Sequence, residues 1–179
     1  MTVANLITII RILLIPGFMV AAEYGGIYGD TIALAIFIVA SVTDGVDGYI
    51  ARRYNQITTL GIFLDPLADK LLVCSALICL IPSGKLETWI VLVIIAREFI
   101  ISGFRLVASD SGIVIAASYW GKFKTVSHMA MIILLIIDFQ NPVLILITDI
   151  VVWIGVALTI ISLVDYVAKN KQVITHGGL

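Results

Sequence analysis

The sequence predicts an all-α, polytopic membrane protein of six transmembrane helices, and three observations carry that prediction. Of 179 residues, 61% are apolar and 13% charged, where soluble domains run at about 45–50% and about 25%. The apolar residues gather into six stretches near 5–22, 31–50, 62–81, 87–107, 121–138 and 146–167. Each is long enough to cross a ~30 Å hydrocarbon layer at about 1.5 Å per helical residue. Clusters rich in Gly, Pro, Ser and Asn divide most of the stretches. Little of the chain is left for a soluble region, so residues 1–179 are expected to form a single integral-membrane domain.

The first stretch could be mistaken for a signal peptide, because Ala21-Ala22 follows an apolar run. No basic segment precedes that run and Arg11 interrupts it, so a retained helix is expected, ending at Tyr24-Gly25-Gly26-Ile27-Tyr28-Gly29. The second stretch closes on Asp44 and Asp47, and the third opens on Gly61, Asp65 and Asp69 and stops at Pro82-Ser83-Gly84-Lys85. Pro66 is tolerated if the third helix begins only a few residues before it, and otherwise kinks it. Cys74 and Cys79 lack the spacing of a zinc site or a disulfide framework and read as small buried residues. The fourth stretch carries Arg97, Glu98 and Arg105 and ends at Ala108-Ser109-Asp110-Ser111-Gly112. Lys122 and Lys124 open the fifth, which holds His128 as a packing residue. Gln140-Asn141-Pro142 precedes the sixth, whose Asp149 and Asp165 read as interfacial; His176 lies in the C-terminal tail.

Eleven Lys and Arg against twelve Asp and Glu give a net charge of −1, which excludes bulk attraction to nucleic acid. The placement of charge is more informative. With a cytoplasmic N-terminus, Arg11, Arg52, Arg53, Lys70, Arg97, Arg105, Lys122, Lys124, Lys169 and Lys171 all fall on the cytoplasmic side, and only Lys85 faces out. That asymmetry predicts six crossings with both termini in the cytoplasm.

Ionisable groups inside membrane helices cost about 2.5–3.5 kcal/mol each, so their positions point to function. Asp44 and Asp47 are three residues apart and Asp65 and Asp69 four apart, so each pair shares a helix face, and the connecting loop brings the pairs together. Four carboxylates in one site repel unless a hard cation with a preference for oxygen, such as Mg²⁺ or Mn²⁺, neutralises them. Gly48 and Ala51 fall on the Asp44/Asp47 side and, with Gly61, leave room for a ligand near the backbone; Arg52 supplies a cation for phosphate.

The string Asp44-x2-Asp47-Gly48-x2-Ala51-Arg52-x8-Gly61-x3-Asp65-x3-Asp69 resembles the signature of the CDP-alcohol phosphotransferases and matches it at every specified position. The resemblance implies a six-helix membrane enzyme, usually dimeric, that binds a CDP-linked donor and two divalent cations, Mg²⁺ or Mn²⁺. It implies that Asp44, Asp47 and Asp65 hold metal, that Asp69 is the base near or on the second metal, and that Gly48, Ala51, Arg52 and Gly61 line the CDP pocket. Thr8 and Arg11 are further candidates to touch the donor, with Arg11 alternatively a snorkelling anchor at the interface.

Arg97 and Arg105 lie eight apart on nearly one helix face; as buried cations they want an anion, either Glu98 or a phosphorylated acceptor, with Lys122 and Lys124 beside them. Asn5 to Arg11, Phe63 to Leu72, Arg97-Glu98-Phe99 and Gly121 to Thr125 are similar to bacterial phosphatidylglycerophosphate synthases. That resemblance implies CDP-diacylglycerol as donor, glycerol 3-phosphate as acceptor and a bacterial cytoplasmic membrane. Phosphatidylinositol-phosphate and phosphatidylserine synthases are the nearest alternatives. Intramembrane prenyltransferases bind no CDP and lack the Gly-x2-Ala-Arg interval; a divalent-cation transporter would place carboxylates near the midplane and has no use for the glycines of a nucleotide pocket.

Overall fold

Helices stand where the apolar stretches do: α1 (Val3–Tyr24), α2 (Gly29–Arg53), α3 (Thr59–Cys79), α4 (Thr88–Asp110), α5 (Tyr119–Ile137) and α6 (Pro142–Lys169), with a short 3-10 turn at Gly26–Tyr28. The structure, a computed structural model, describes residues 2–53, 58–110 and 119–170, apart from the side chains at 3, 4, 46–53, 59, 60, 62, 63 and 110. No strand occurs among the described residues. Even the shortest helix, α5 with 19 residues, is about 28 Å long and matches the hydrocarbon thickness. The chain is a membrane protein, and α1, α2, α5 and α6 are long and apolar enough to cross a bilayer. In α3 and α4 every eighteen-residue stretch holds at least three charges, drawn from Asp65, Asp69 and Lys70 or from Arg97, Glu98 and Arg105.

The helix ends follow from local chemistry. The Thr58 hydroxyl caps α3 by accepting from the Gly61 amide at 3.0 Å, and Asn141 Oδ1 caps α6 by accepting from the Val143 amide at 2.9 Å, with Pro142 in the first turn where its missing N–H costs nothing. At Gly25 a Cβ would lie 2.4 Å from the Ala21 carbonyl oxygen and 2.5 Å from the Gly29 Cα, so only glycine lets the chain leave α1 so tightly. Gly84 turns at φ +70°, a conformation that side chains disfavour.

Two expectations are corrected here. α4 continues through Ala108, Ser109 and Asp110, because Ala108 is buried and keeps packing in its last turn; Ser111 and Gly112 lie outside the described residues. Pro66 is seven residues beyond the start of α3 rather than in its first turn, so it withholds a donor from the Ile62 carbonyl inside the helix.

The chain divides into two compact units, Met1–Lys85 and Leu86–Leu179. In the first, α1 packs along both α2 and α3. Its inward stripes are apolar at one end: Ile15, Phe18 and Ala21 on α1, Ala33, Phe37 and Ala40 on α2, and Ala68, Leu72 and Ala76 on α3, all buried. The Phe18 and Phe37 rings meet at 6.1 Å between centroids. Continued along the same stripes, the helices become polar: Asn5, Thr8 and Arg11 on α1, Asp44 on α2 and Asp65 on α3. At the opposite end, Lys85 reaches Asp30 at 2.8 Å and ties the α1–α2 turn to the segment after α3. Cys74 and Cys79 are half-buried rather than buried; Cys74 points away from the Ala68–Leu72–Ala76 stripe and Cys79 ends its helix.

In the second unit α6 packs along α5 and, less extensively, α4. Lipid is as apolar as leucine, so helices in a bilayer are held by close packing and interhelical hydrogen bonds rather than by the hydrophobic effect. α6 carries a buried stripe suited to this, Thr148, Val152, Gly155, Thr159, Ser162 and Tyr166. His128 Nε2 lies 2.9 Å from Thr159 Oγ1, and that hydroxyl already donates to the Gly155 carbonyl at 2.7 Å, so the histidine is the donor. A Cβ at Gly155 would lie 3.3 Å from His128 Cδ2 and 3.5 Å from both Met131 Sδ and Ser127 Oγ. Gly155→Leu is therefore expected to lower stability by about 1–3 kcal/mol by overpacking, read as the unfolding midpoint in detergent, whereas Ile154→Leu on the exposed face should leave it unchanged.

Candidate active site

The polar ends of the first unit's stripes converge on α1. Arg11, fully buried, donates through Nη1 to Asp44 Oδ1. One turn earlier, the Thr8 hydroxyl donates to Asp65 Oδ1 at 2.7 Å. A turn earlier again, Asn5 Oδ1 accepts from the Thr58 hydroxyl at 2.9 Å. Positions 5, 8 and 11 lie on one helical face, so a single row on α1 holds a carboxylate of α2, a carboxylate of α3 and the cap of α3. Burying an arginine requires an anion, and Asp44 supplies it; Arg11 does not snorkel. The space where a Gly61 side chain would begin is taken by Asn5 Oδ1 at 3.0 Å and Thr58 Oγ1 at 3.1 Å, with Asp65 Oδ2 at 3.9 Å.

Asp69 is one turn beyond Asp65 on α3 and half-buried, as is Lys70. The side chains of Asp47, Gly48, Ala51 and Arg52 lie outside the described residues, although their backbone forms the last turns of α2. Asn5 and Thr58 were not singled out for a role. A polar residue at every third position of an otherwise apolar run is the signal that marks Asn5, since a lipid-facing row would not be polar.

The second unit holds a separate cluster of charge. Glu98 Oε1 accepts from Arg97 Nη1 at 3.0 Å and from Lys124 Nζ, while Arg97 Nε donates to Ser162 Oγ at 3.1 Å. Arg97 and Lys124 are buried, and one carboxylate oxygen bridges both, so the three side chains together keep one net positive charge. The expectation of two buried arginines is corrected: Arg105 is exposed, because eight residues carry it about 80° past two full turns and about 12 Å along the axis. Lys122 is exposed too, with its ammonium 5.6 Å from the Tyr119 ring centroid; two residues from Lys124, it faces the other way. His128 packs as expected.

The sequence profile described as CDP-alcohol phosphatidyltransferase matches residues 1–161. This chain belongs to that family. The CDP-diacylglycerol–glycerol-3-phosphate 3-phosphatidyltransferase of Bacillus subtilis (strain 168) is 41% identical, over 94% of this chain and 94% of that one. A probable phosphatidylglycerophosphate synthase of Mycobacterium tuberculosis (strain ATCC 25618 / H37Rv) is 38% identical, over 98% of this chain and 84% of its own. A Haemophilus influenzae protein with the same name as the Bacillus enzyme is 39% identical, over 92% and 91%.

CDP-alcohol phosphatidyltransferases generally depend on divalent cations, and the donor chemistry of the first unit fits one. Asp44, Asp65 and Asp69 offer carboxylate oxygens, the ligands that Mg²⁺ and Mn²⁺ take. Thr8 engages Oδ1 of Asp65, the kind of outer contact that orients a ligand without replacing it. Among the described residues no three such groups close on a common point; Asp47 is the fourth carboxylate of the signature.

Proposed function

We propose that the protein transfers the phosphatidyl group of CDP-diacylglycerol to sn-glycerol 3-phosphate, giving phosphatidylglycerol phosphate and CMP. The observation that carries this reading is the attachment of Asp44 and Asp65 to one buried polar row of α1 within a string that fits the family signature throughout. The names of the relatives supply the two substrates. Both compact units are read as one catalytic domain.

Asp44, Asp47, Asp65 and Asp69 would hold two divalent cations, Mg²⁺ or Mn²⁺, which neutralise the pyrophosphate and make CMP a tolerable leaving group. Gly48, Ala51 and Arg52 receive the CDP moiety, Gly61 lets Asn5 and Thr58 close on the backbone beside it, and Thr8 and Arg11 steady the carboxylates. The Asp69 carboxylate takes the proton of the glycerol 1-hydroxyl. That oxygen forms a bond to the phosphorus bearing diacylglycerol, and the bond from this phosphorus to the CMP oxygen breaks. Arg97, Arg105, Lys122 and Lys124 bind the acceptor phosphate, the exposed pair from the solvent side. The acyl chains stay in the lipid of a bacterial cytoplasmic membrane, with the site and both termini facing the cytoplasm, α3 and α4 crossing like the other helices, and two copies forming a homodimer.

In detergent with Mg²⁺, labelled glycerol 3-phosphate is expected to enter an organic-extractable lipid only when CDP-diacylglycerol is present. Excess EDTA should abolish the incorporation and added Mg²⁺ or Mn²⁺ restore it. Incorporation that persists in EDTA would contradict the carboxylate roles.

A further inference from the structure

Ser162 lies on α6, fully buried, and its hydroxyl makes two bonds. It donates to the Thr159 carbonyl at 3.0 Å and accepts from Arg97 Nε at 3.1 Å. The first bond commits the hydroxyl hydrogen to α6 and leaves the oxygen lone pairs for the arginine. Arg97 is held a second time, by Glu98 at Nη1, at 3.0 Å. A guanidinium gripped at Nε and Nη1 has its plane fixed. Its remaining nitrogen, Nη2, has no hydrogen-bond partner among the described residues and lies 3.8 Å from the place a Gly121 Cβ would occupy. Two N–H donors are thus presented beside a residue that has no side chain to cover them.

We infer that Ser162 is a positioning residue for the transfer reaction: by fixing the plane of Arg97 it aims Nη2 at the phosphate of the acceptor. This rests on the acceptor assignment proposed above. Without the hydroxyl, Arg97 keeps Glu98 but is free to pivot toward it, and the direction of Nη2 is lost while its charge remains. The effect is therefore specific to the acceptor. The donor is read to bind at the aspartates of the first unit, whereas the Ser162 hydroxyl bonds within the second.

Steady-state CMP release in detergent with Mg²⁺, varying each substrate in turn, tests this on the wild type, Ser162→Ala and Ser162→Thr, with unfolding midpoints taken alongside. A lost hydrogen bond to a charged group predicts a KM for glycerol 3-phosphate raised about ten-fold in Ser162→Ala. The KM for CDP-diacylglycerol should stay within about two-fold, the midpoint should fall by no more than the loss of one buried hydrogen bond produces, and the retained hydroxyl of Ser162→Thr should restore most of the acceptor KM. An unchanged acceptor KM in Ser162→Ala, or equal rises in both KM values, overturns the inference while leaving the overall reaction standing. Wild-type CMP release that ignores glycerol 3-phosphate overturns the acceptor assignment and this inference together.

Discussion

Asp69→Asn is expected to lower kcat for CMP release about 10³-fold, within the range general-base removal produces, while metal-dependent CDP binding falls by less than about ten-fold. Asparagine keeps the size and one oxygen of the side chain but cannot accept a proton. Asp69 stands a turn beyond Asp65 on α3, apart from the Thr8–Asp65 and Arg11–Asp44 contacts, so its replacement leaves those contacts in place. Asp44→Asn is the contrast. It removes the charge that balances fully buried Arg11 along with a proposed metal ligand, so binding and turnover should both collapse. Calorimetric titration with CDP beside CMP-release kinetics separates the two. Equal loss of binding in both variants would contradict a distinct base role for Asp69.

The second large effect falls on stability. Glu98→Ala removes the one carboxylate oxygen that both buried Arg97 and buried Lys124 contact. Removing one partner of a buried ion pair costs about 3–5 kcal/mol, because the remaining charge stays desolvated. Adding Lys124→Met should recover part of it by deleting one of the two cations that share Glu98, a non-additivity that a double-mutant cycle measures directly. An unfolding midpoint unaffected by Glu98→Ala would mean that the cluster is not load-sharing, and would remove the frame on which the position of Arg97 depends.

Most of the helical architecture was legible because a bilayer leaves few ways to satisfy a backbone: apolar runs of about twenty residues had to be helices, and Gly25, Gly84 and Asn141-Pro142 end or begin them for local reasons. Aspartate spacing likewise placed Asp44 and Asp65 on inward stripes. The charges that make α3 and α4 functionally interesting are also what dilute their apolar signal, so the same residues that reveal the site obscure two of the spans. Which cation is buried was not legible from spacing alone. Arg97 and Arg105 looked equivalent until the 80° offset set one against Ser162 and Glu98 and left the other exposed. The partners of Arg11, Thr8 and Asn5 depend on contacts 33, 57 and 53 residues away in sequence, which no local pattern encodes. Ser162 was lost inside the most apolar helix, although a small polar stripe at 155, 159 and 162 is what an interhelical face in lipid looks like.

The central claim is that this chain couples breakage of the CDP pyrophosphate to a phosphorylated acceptor. Its most direct test is CMP release from CDP-diacylglycerol by the purified protein in Mg²⁺, with glycerol 3-phosphate, inositol phosphate, serine or no acceptor in parallel. The account predicts release that requires glycerol 3-phosphate and is near background in the other three. Release driven by serine or inositol phosphate, with glycerol 3-phosphate inert, would contradict it.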